Sequence, residues 1–336
     1  MVALSQEPVS GETAEPTIEM ILDGLNNPCG VAIQPDTGDV FVSESGAGRI
    51  LRVRDGKAEA VITDFPKDVY GNGPQYKIGP LGLLFLNRDA LVVGGGGLPD
   101  GEELVRIYRT PEVGNEAIPA GKTRETAGPL GKTDGAPGEG NFYALAANDI
   151  SVFVTANGDD EKGWIAKSGR GPKLSQLKRF IATKTATGVD APVGITISPE
   201  GFLVVGQMGE ITSPGDSVLT FYNAGDGRLL LNLETGLNDI VSVAYSPVTG
   251  LLYTLDFSWM SPQEGGLFRL DKDRTKRTEA IATQKITALD KPTSMAFAND
   301  GELYVTVFGV TVFGAGKDGD EKPSGKLLKI TGKKPF

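Results

Sequence analysis

The chain has 336 residues, of which 39% are hydrophobic, and its formal net charge is −10. It contains no histidine and a single cysteine, Cys29. These counts exclude a His-based catalytic triad, a histidine metal ligand, an internal disulfide and a thiolate zinc cluster. Any metal site has to use oxygen ligands, which favours Ca²⁺ or Mg²⁺. The acidic balance argues against a nucleic-acid partner, and no apolar stretch is long enough for a membrane span.

The first segment of the chain, residues 1–16, is polar and lacks the basic start and apolar core of a complete signal peptide. We predict a disordered leader there. The fragment Met1–Leu4 also fits the end of a truncated signal peptide.

A repeat of short strands begins at Pro28, and weaker copies begin near residues 80, 141, 192, 239 and 292. Such a unit of about 40–55 residues is typical of a propeller blade. The first copy divides into strand A (Gly30–Gln34), strand B (Val40–Ser43), strand C (Ile50–Arg54) and strand D (Ala58–Thr63). The sequence therefore predicts an all-β fold, a six-bladed β-propeller with four-stranded antiparallel blades. A β-sandwich, the alternative, does not explain the regular recurrence.

The sixth copy ends at its strand C, Lys326–Ile330, and lacks a strand D. An open ring would leave unpaired strand edges. The extended apolar segment Thr17–Leu22 is otherwise unassigned, and we predict that it pairs with Lys326–Ile330 to close the ring. A single propeller domain then covers residues 17–331, and residues 332–336 form a C-terminal tail.

The long connections are predicted to lie on one face of the ring, because B–C and D–A connections share a face and the A–B turns are short. The long segments of this loop-rich face are residues 94–103, 111–140, 157–163 and 309–325. Loops on a rigid scaffold are where binding sites concentrate. Four aromatic side chains near this face are candidates for ligand stacking, although each also suits packing: Tyr70, Tyr76, Trp259 and Phe313.

Three carboxylates on the same side are candidates for acid–base catalysis. Glu44 and Asp256 end B strands, and Glu210 lies in the loop that follows another B strand. A structural ion pair between Glu44 and Arg49 is the competing interpretation for the first of them.

The segment Val42–Ile50 resembles an NHL-type blade, with an apolar strand, an acidic residue, a Ser/Gly loop and Arg-Ile. The Pro-x-Gly triplets at Pro28, Pro80 and Pro192 resemble both the NHL group and the wider superfamily of gluconolactonases and strictosidine-synthase-like proteins. This resemblance covers residues 17–331 and implies the propeller fold. In the lactonase branch it also implies hydrolysis by a divalent cation, held in the central channel by Glu, Asn and Asp side chains.

In those lactonases two ligands occupy the middle position of Pro-x-Gly-like triplets. The matching positions here are Cys29, Leu81, Phe142, Val193, Ile240 and Thr293, and none is a carboxylate or carboxamide. An apolar side chain cannot ligate a hard cation, so we do not expect this type of metal site. Other oxygen-bearing candidates for Ca²⁺ lie nearby or in acidic loops: Asn141, Asp159, Asp160, Asp239, Asp318 and Asp320.

The main functional prediction is a non-catalytic propeller that binds a small molecule or a protein through its loop-rich face. The alternative is a divalent-cation-dependent, lactonase-like hydrolase with an oxygen-only channel site. The family resemblance and the possible truncated leader favour a secreted or periplasmic location, with a cytoplasmic one left open.

Overall fold

The structure, a computed structural model, describes residues 15–70, 76–157, 162–309, 323–333 and 335–336. Within these ranges the chain forms six antiparallel blade sheets arranged as a β-propeller, which confirms the predicted fold. The six A strands are Pro28–Ile33, Pro80–Asn87, Phe142–Ala147, Pro192–Ile197, Ile240–Tyr245 and Pro292–Phe297. The six B strands are Val40–Glu44, Ala90–Gly95, Ser151–Ala156, Phe202–Gln207, Leu252–Asp256 and Leu303–Val307.

The outer strands complete each blade. The C strands are Arg49–Arg54, Val105–Arg109, Trp164–Gly169, Val218–Asn223, Gly266–Lys272 and Gly325–Thr331. The D strands are Lys57–Thr63, Glu125–Ala127, Lys178–Ala182, Leu229–Glu234, Ile281–Ala288 and Thr17–Leu25. The B strands are the most deeply buried because neighbouring blades cover both of their faces, which explains their continuous apolar runs.

The N-terminal strand closes the ring, as predicted. Thr17–Leu25 pairs antiparallel with strand C of blade 6, with Thr17 opposite Thr331 and Leu25 opposite Gly325. The first and last described parts of the chain therefore share one blade. At the other end, the ring of Phe336 packs against Tyr253 with 5.6 Å between centroids.

The Pro-x-Gly triplets have a structural cause. Each A strand contacts the A strands of the two neighbouring blades. A Cβ on Gly30 would lie 2.3 Å from the Leu81 carbonyl oxygen, and one on Gly82 would lie 2.5 Å from that of Tyr143. Only glycine allows such an approach of two backbones, so the triplet encodes blade packing.

The residue in the middle of each triplet lies in a β-bulge at the start of strand A, where the register with strand B shifts. This register corrects two positions matched from the sequence. In blade 3 Phe142 pairs with Ala156 before the shift, so Tyr143 corresponds to Cys29. In blade 5 Ile240 pairs with Asp256, so Val241 holds that position. The prediction was offset by one residue because neither copy has the Pro-x-Gly spacing.

The prediction for residues 111–140 as one loop on the loop-rich face was wrong. Residues 125–127 form strand D of blade 2 and divide the segment. The part before them is a C–D connection, which belongs to the opposite face, and its strand Ile118–Pro119 pairs parallel with strand D of blade 1. Strand D of blade 2 has only three residues and no alternating pattern, so the sequence could not reveal it.

Three further short elements lie outside the blade strands. A hairpin, Asp68–Tyr70 with Tyr76–Ile78, stands between blades 1 and 2. The α-helix Thr183–Thr187 and the 3₁₀ turn Ser45–Ala47 are short, and no helix in the described ranges has the length and apolar character needed to cross a membrane.

Candidate functional site

The central channel is lined at the bulge positions by Cys29, Leu81, Tyr143, Val193, Val241 and Thr293. Tyr143 of blade 3 reaches the opposite blade 6, where its hydroxyl donates to the Thr293 carbonyl at 3.1 Å. Burial raises the pKa of Tyr143 well above its usual range and that of the Cys29 thiol to about 12. The centre of the ring is therefore apolar and occupied by side chains.

Four aromatic rings, Tyr76, Phe257, Trp259 and Phe308, form an aromatic cap on the same core cluster as Cys29 and Leu81. Tyr76 lies 5.1 Å from Phe308 and 6.2 Å from Trp259 between ring centroids, and Trp259 stacks on Phe257 at 5.3 Å. Two of the predicted stacking residues, Tyr76 and Trp259, are thus brought together.

The structure says less about the other two predicted stacking residues, Tyr70 and Phe313. Tyr70 ends the first strand of the hairpin, and its backbone pairs with Tyr76. Phe313 lies outside the described residues.

Glu44 is held by structural contacts. Its Oε1 accepts the Asn26 N–H at 2.9 Å, and its Oε2 lies 2.5 Å from Arg49 Nε. This ion pair is the alternative, predicted from the sequence, to a catalytic role for Glu44. Asp256 holds the equivalent position in blade 5, where its two oxygens accept the N–H groups of Asn238 at 3.1 Å and Asp239 at 2.9 Å. Both carboxylates fasten the segment that precedes strand A to the end of strand B.

Glu210, the third acid–base candidate, has a side chain 65% exposed, and its carboxylate lies 3.8 Å from the Lys184 ammonium. Water solvates a carboxylate so exposed and screens its interaction with Lys184. The backbone N–H of Glu210 donates to Asp216 Oδ2 at 3.0 Å, within the same B–C loop of blade 4.

The two metal candidates among the described residues stand before strands of different blades. Asn141 precedes strand A of blade 3 with a φ of 48°, whereas Asp239 precedes strand A of blade 5. Among the described residues no three Asp, Glu or Cys side chains come close enough to hold a metal ion. Four other candidates lie outside the described residues: Asp159, Asp160, Asp318 and Asp320.

Among the described residues, Asp239 combines near-complete burial with one unpaired carboxylate oxygen and a raised pKa. It is 2% exposed, and its Oδ2 accepts the Trp259 N–H at 2.5 Å. Its Oδ1 is buried and has no hydrogen-bond partner among the residues described. Burial raises the pKa of Asp239 to about 6; the charges of Asp256 and Asp216 add to the rise, and the Trp259 N–H opposes it.

A cavity of about 10 Å³ lies against Asp239, with room for a single water molecule. It is formed by two B–C loops, of blades 4 and 5, and by the segment before strand A of blade 5. Its lining residues are Ile211, Ser213, Pro214, Asn238, Asp239, Met260 and Ser261. We call this arrangement the Asp239 site; it lies on the loop-rich face.

The loops around the Asp239 site are tied together by Asn238. Its Oδ1 accepts the Gly215 N–H at 3.0 Å, and its Nδ2 donates to Ser258 Oγ at 2.6 Å and to Glu264 Oε2 at 2.9 Å. These bonds hold the two loops in fixed positions relative to Asp239. A carboxylate with a raised pKa that lines a cavity of water size is a candidate to accept a proton from water.

Sequence reasoning named Asp239 only as a metal candidate and did not identify Asp216, Ile211 or Met260. For Asp239 the sequence offered a weak signal, which is a carboxylate directly before a strand A. The other three lie in loops with no motif. Ile211 and Met260 are marked only by meeting at one cavity, and Asp216 only by the effect of its charge on Asp239.

The sequence matches no protein-family model, and no curated protein sequence matches it. Solved structures match over nearly the whole chain. A gluconolactonase from Xanthomonas campestris is 15% identical, with a TM-score of 0.60, and the match covers 95% of this chain and 90% of that one. The soluble aldose sugar dehydrogenase of Escherichia coli is 13% identical, with a TM-score of 0.61 and coverage of 96% and 100%. A luciferin-regenerating enzyme is 13% identical, with a TM-score of 0.61 and coverage of 96% and 97%.

At these identities the matches show the fold. The expected resemblance to gluconolactonase-like six-bladed propellers is confirmed at that level. The solved structures that match include gluconolactonases, sugar dehydrogenases and a luciferin-regenerating enzyme.

Proposed function

We propose that this protein is a hydrolase of small carboxylic esters or lactones in which Asp239 is the general base. The observation that carries the proposal is the buried carboxylate of Asp239, which lines a cavity of one-water size. Its Oδ1 has no hydrogen-bond partner among the described residues, and its pKa is raised to about 6. A base with a pKa near 6 is largely ionised at neutral pH and still basic enough to accept a proton in the transition state. The enzyme names among the structural neighbours support the same class.

The reaction begins with a water molecule in the cavity beside Asp239. Its oxygen attacks the substrate carbonyl carbon while one of its protons passes to Oδ1. The tetrahedral intermediate then collapses, the carbon–oxygen bond of the ester or lactone breaks, and the leaving oxygen takes the proton back from Oδ1. The Trp259 N–H holds Oδ2, which keeps Oδ1 directed at the water. Asp256 acts as a positioning residue, because it holds the backbone of Asp239.

A channel cation of the lactonase type does not fit this chain. The six bulge positions offer one thiol, two hydroxyls and three aliphatic side chains, and both hydroxyls donate to backbone carbonyls. Hard divalent cations prefer carboxylate and carbonyl oxygens. No step of the proposed reaction therefore passes through a metal in the channel.

The test is hydrolysis of γ-butyrolactone and p-nitrophenyl acetate in a pH-stat, with and without EDTA. We expect Asp239→Asn to lower kcat by roughly 10²–10⁴-fold, the range of general-base catalysis. The wild-type rate should rise with pH through an apparent pKa of about 6, since the base must be ionised. Asp226→Asn, at an exposed turn on the opposite face, is the matched control. Full activity in Asp239→Asn would refute the proposal.

Ligand binding without turnover is the second candidate, favoured by the filled channel and by the small size of the cavity. In that case the loop-rich face holds a ligand that is recovered unchanged, and Asp239→Asn leaves the rate of its disappearance at the uncatalysed level.

A further inference from the structure

The rim of the Asp239 site is apolar on two sides. Ile211 from the blade 4 loop is 43% exposed and Met260 from the blade 5 loop is 63% exposed, and both line the same cavity. Pro214 adds a third apolar surface beside them. Single exposed hydrophobic residues are ordinary, but two that converge from separate loops on one catalytic cavity are an apolar contact surface for a ligand.

Few polar groups remain at this rim for a sugar. The side-chain amide of Asn238 already has three partners, which are Gly215, Ser258 and Glu264. Among the lining side chains this leaves Asp239 and the hydroxyls of Ser213 and Ser261. A polyhydroxylated substrate would lose water from several hydroxyls and find few partners, which is unfavourable.

The charges at the site disfavour an anionic substrate. Asp216 and Asp256 both raise the pKa of Asp239 through their negative charge, and the lining residues include neither Lys nor Arg. A neutral ester or lactone meets no such repulsion. The carboxylate product of hydrolysis is repelled by these negative charges, and this repulsion favours its release.

We infer that the substrate of the Asp239 site is an uncharged lactone or ester with an apolar chain that packs on Ile211 and Met260. The inference rests on the proposed function and adds the substrate class. The carbonyl group lies at the mouth of the cavity, next to the water held by Asp239, and the chain extends over the apolar rim.

The experiment compares γ-butyrolactone, γ-nonalactone and glucono-δ-lactone. In wild-type protein we expect kcat/KM for γ-nonalactone to exceed that for γ-butyrolactone about tenfold or more, because its additional methylene groups leave water for the apolar rim. Glucono-δ-lactone should be the poorest. The double variant Ile211→Ser/Met260→Ser should lose most of the chain-length preference, so that its kcat/KM values for γ-nonalactone and γ-butyrolactone become similar. Val248→Ser, a 46% exposed residue on the A–B turn of blade 5, is the control.

A binding measurement separates this inference from the proposed function. 2-Pentylcyclopentanone carries the ring carbonyl and the chain but no bond to hydrolyse. Its binding can be followed by the fluorescence of Trp259 in a Trp164→Phe background, since the chain has two tryptophans. We expect the double variant to bind it about tenfold more weakly.

The outcomes distinguish the two ideas. Asp239-dependent hydrolysis without a chain-length preference overturns the apolar substrate and leaves the hydrolase. Ketone binding that weakens in the double variant, with no lactone hydrolysed, overturns the hydrolase and supports the apolar ligand. Equal binding of the ketone by wild-type protein and the double variant overturns the inference in either case.

Discussion

Blades 1 and 5 share one backbone arrangement at the start of strand A but carry different chemistry there. In each, a carboxylate at the end of strand B, Glu44 or Asp256, accepts N–H groups from the segment before strand A. Glu44 is neutralised by Arg49, whereas Asp256 lies near a second carboxylate, Asp239. In blade 1 the position equivalent to Asp239 is occupied by Asn27, which is also buried. The repeated position is structural, and the change from an amide to a carboxylate creates the candidate base.

The largest expected effect comes from giving blade 1 the residue of blade 5. Asn27→Asp places a carboxylate in a buried position where the Asn27 Nδ2 now donates to the Lys77 carbonyl at 3.3 Å. We expect a loss of about 3–5 kcal/mol in the free energy of unfolding at pH 7.5, as for an unpaired buried charge. The φ of 47° suits Asp as well as Asn, so backbone strain does not contribute.

Urea denaturation measures this loss, and exposed Asn115→Asp is the matched control. A variant as stable as wild type would show that blade 1 accommodates a carboxylate as well as blade 5 does.

The second prediction concerns the pH dependence of stability in blade 5. The pKa of Asp239 is about 6 in the folded protein and 3.8 ordinarily, so between these values the folded state binds the proton more tightly. The tighter proton binding stabilises the folded state fully below about pH 3.8, and this stabilisation is lost as the pH rises through 6. Its contribution to the free energy of unfolding is about 3 kcal/mol at most.

Asp239→Asn lacks this titration. Its stability relative to wild type should therefore rise by up to about 3 kcal/mol from pH 4 to pH 7.5, measured by urea denaturation at both values. A constant difference between the two proteins would mean that Asp239 has an ordinary pKa.

The third prediction separates the two contacts of Glu44. Glu44→Ala removes the acceptor for the Asn26 N–H as well as the ion pair, and we expect a loss of about 2 kcal/mol. Glu44→Gln keeps an acceptor and loses only the pair with Arg49, which is 44% exposed, so the loss should be within about 1 kcal/mol. Thermal melts of both variants measure the difference, and equal losses would contradict the structural role of the Asn26 bond.

The smallest effect is expected in the channel. Cys29→Val gives blade 1 the residue that blade 5 has at its bulge, Val241, and a swap of similar volume should change the free energy of unfolding by less than about 1 kcal/mol. Hydrolysis of γ-butyrolactone should be unchanged. A large loss of activity would instead place chemistry in the channel and would contradict the assignment of the site to Asp239.

The sequence predicted most of the fold because its signals are local. The apolar B strands and the A–B turns follow from contacts that recur around the ring, and the Pro-x-Gly triplets of blades 1, 2 and 4 follow from the close approach of neighbouring A strands. Strand closure by Thr17–Leu22 followed from counting strands, and the structure extends it to Leu25. The errors lie where the local signal is absent, as at Glu125–Ala127 and at the bulges of blades 3 and 5.

The sequence by itself determined that the chain forms a closed six-bladed ring, because the hydrophobic pattern and the turn residues that build a blade lie in consecutive residues. Only the tertiary structure decided which carboxylate is the candidate base. The pKa of Asp239 depends on burial and on Asp216 and Asp256, and the apolar rim depends on Ile211 and Met260 meeting across two loops. Desolvation and charge act through space, so residues distant in sequence set the chemistry of the site.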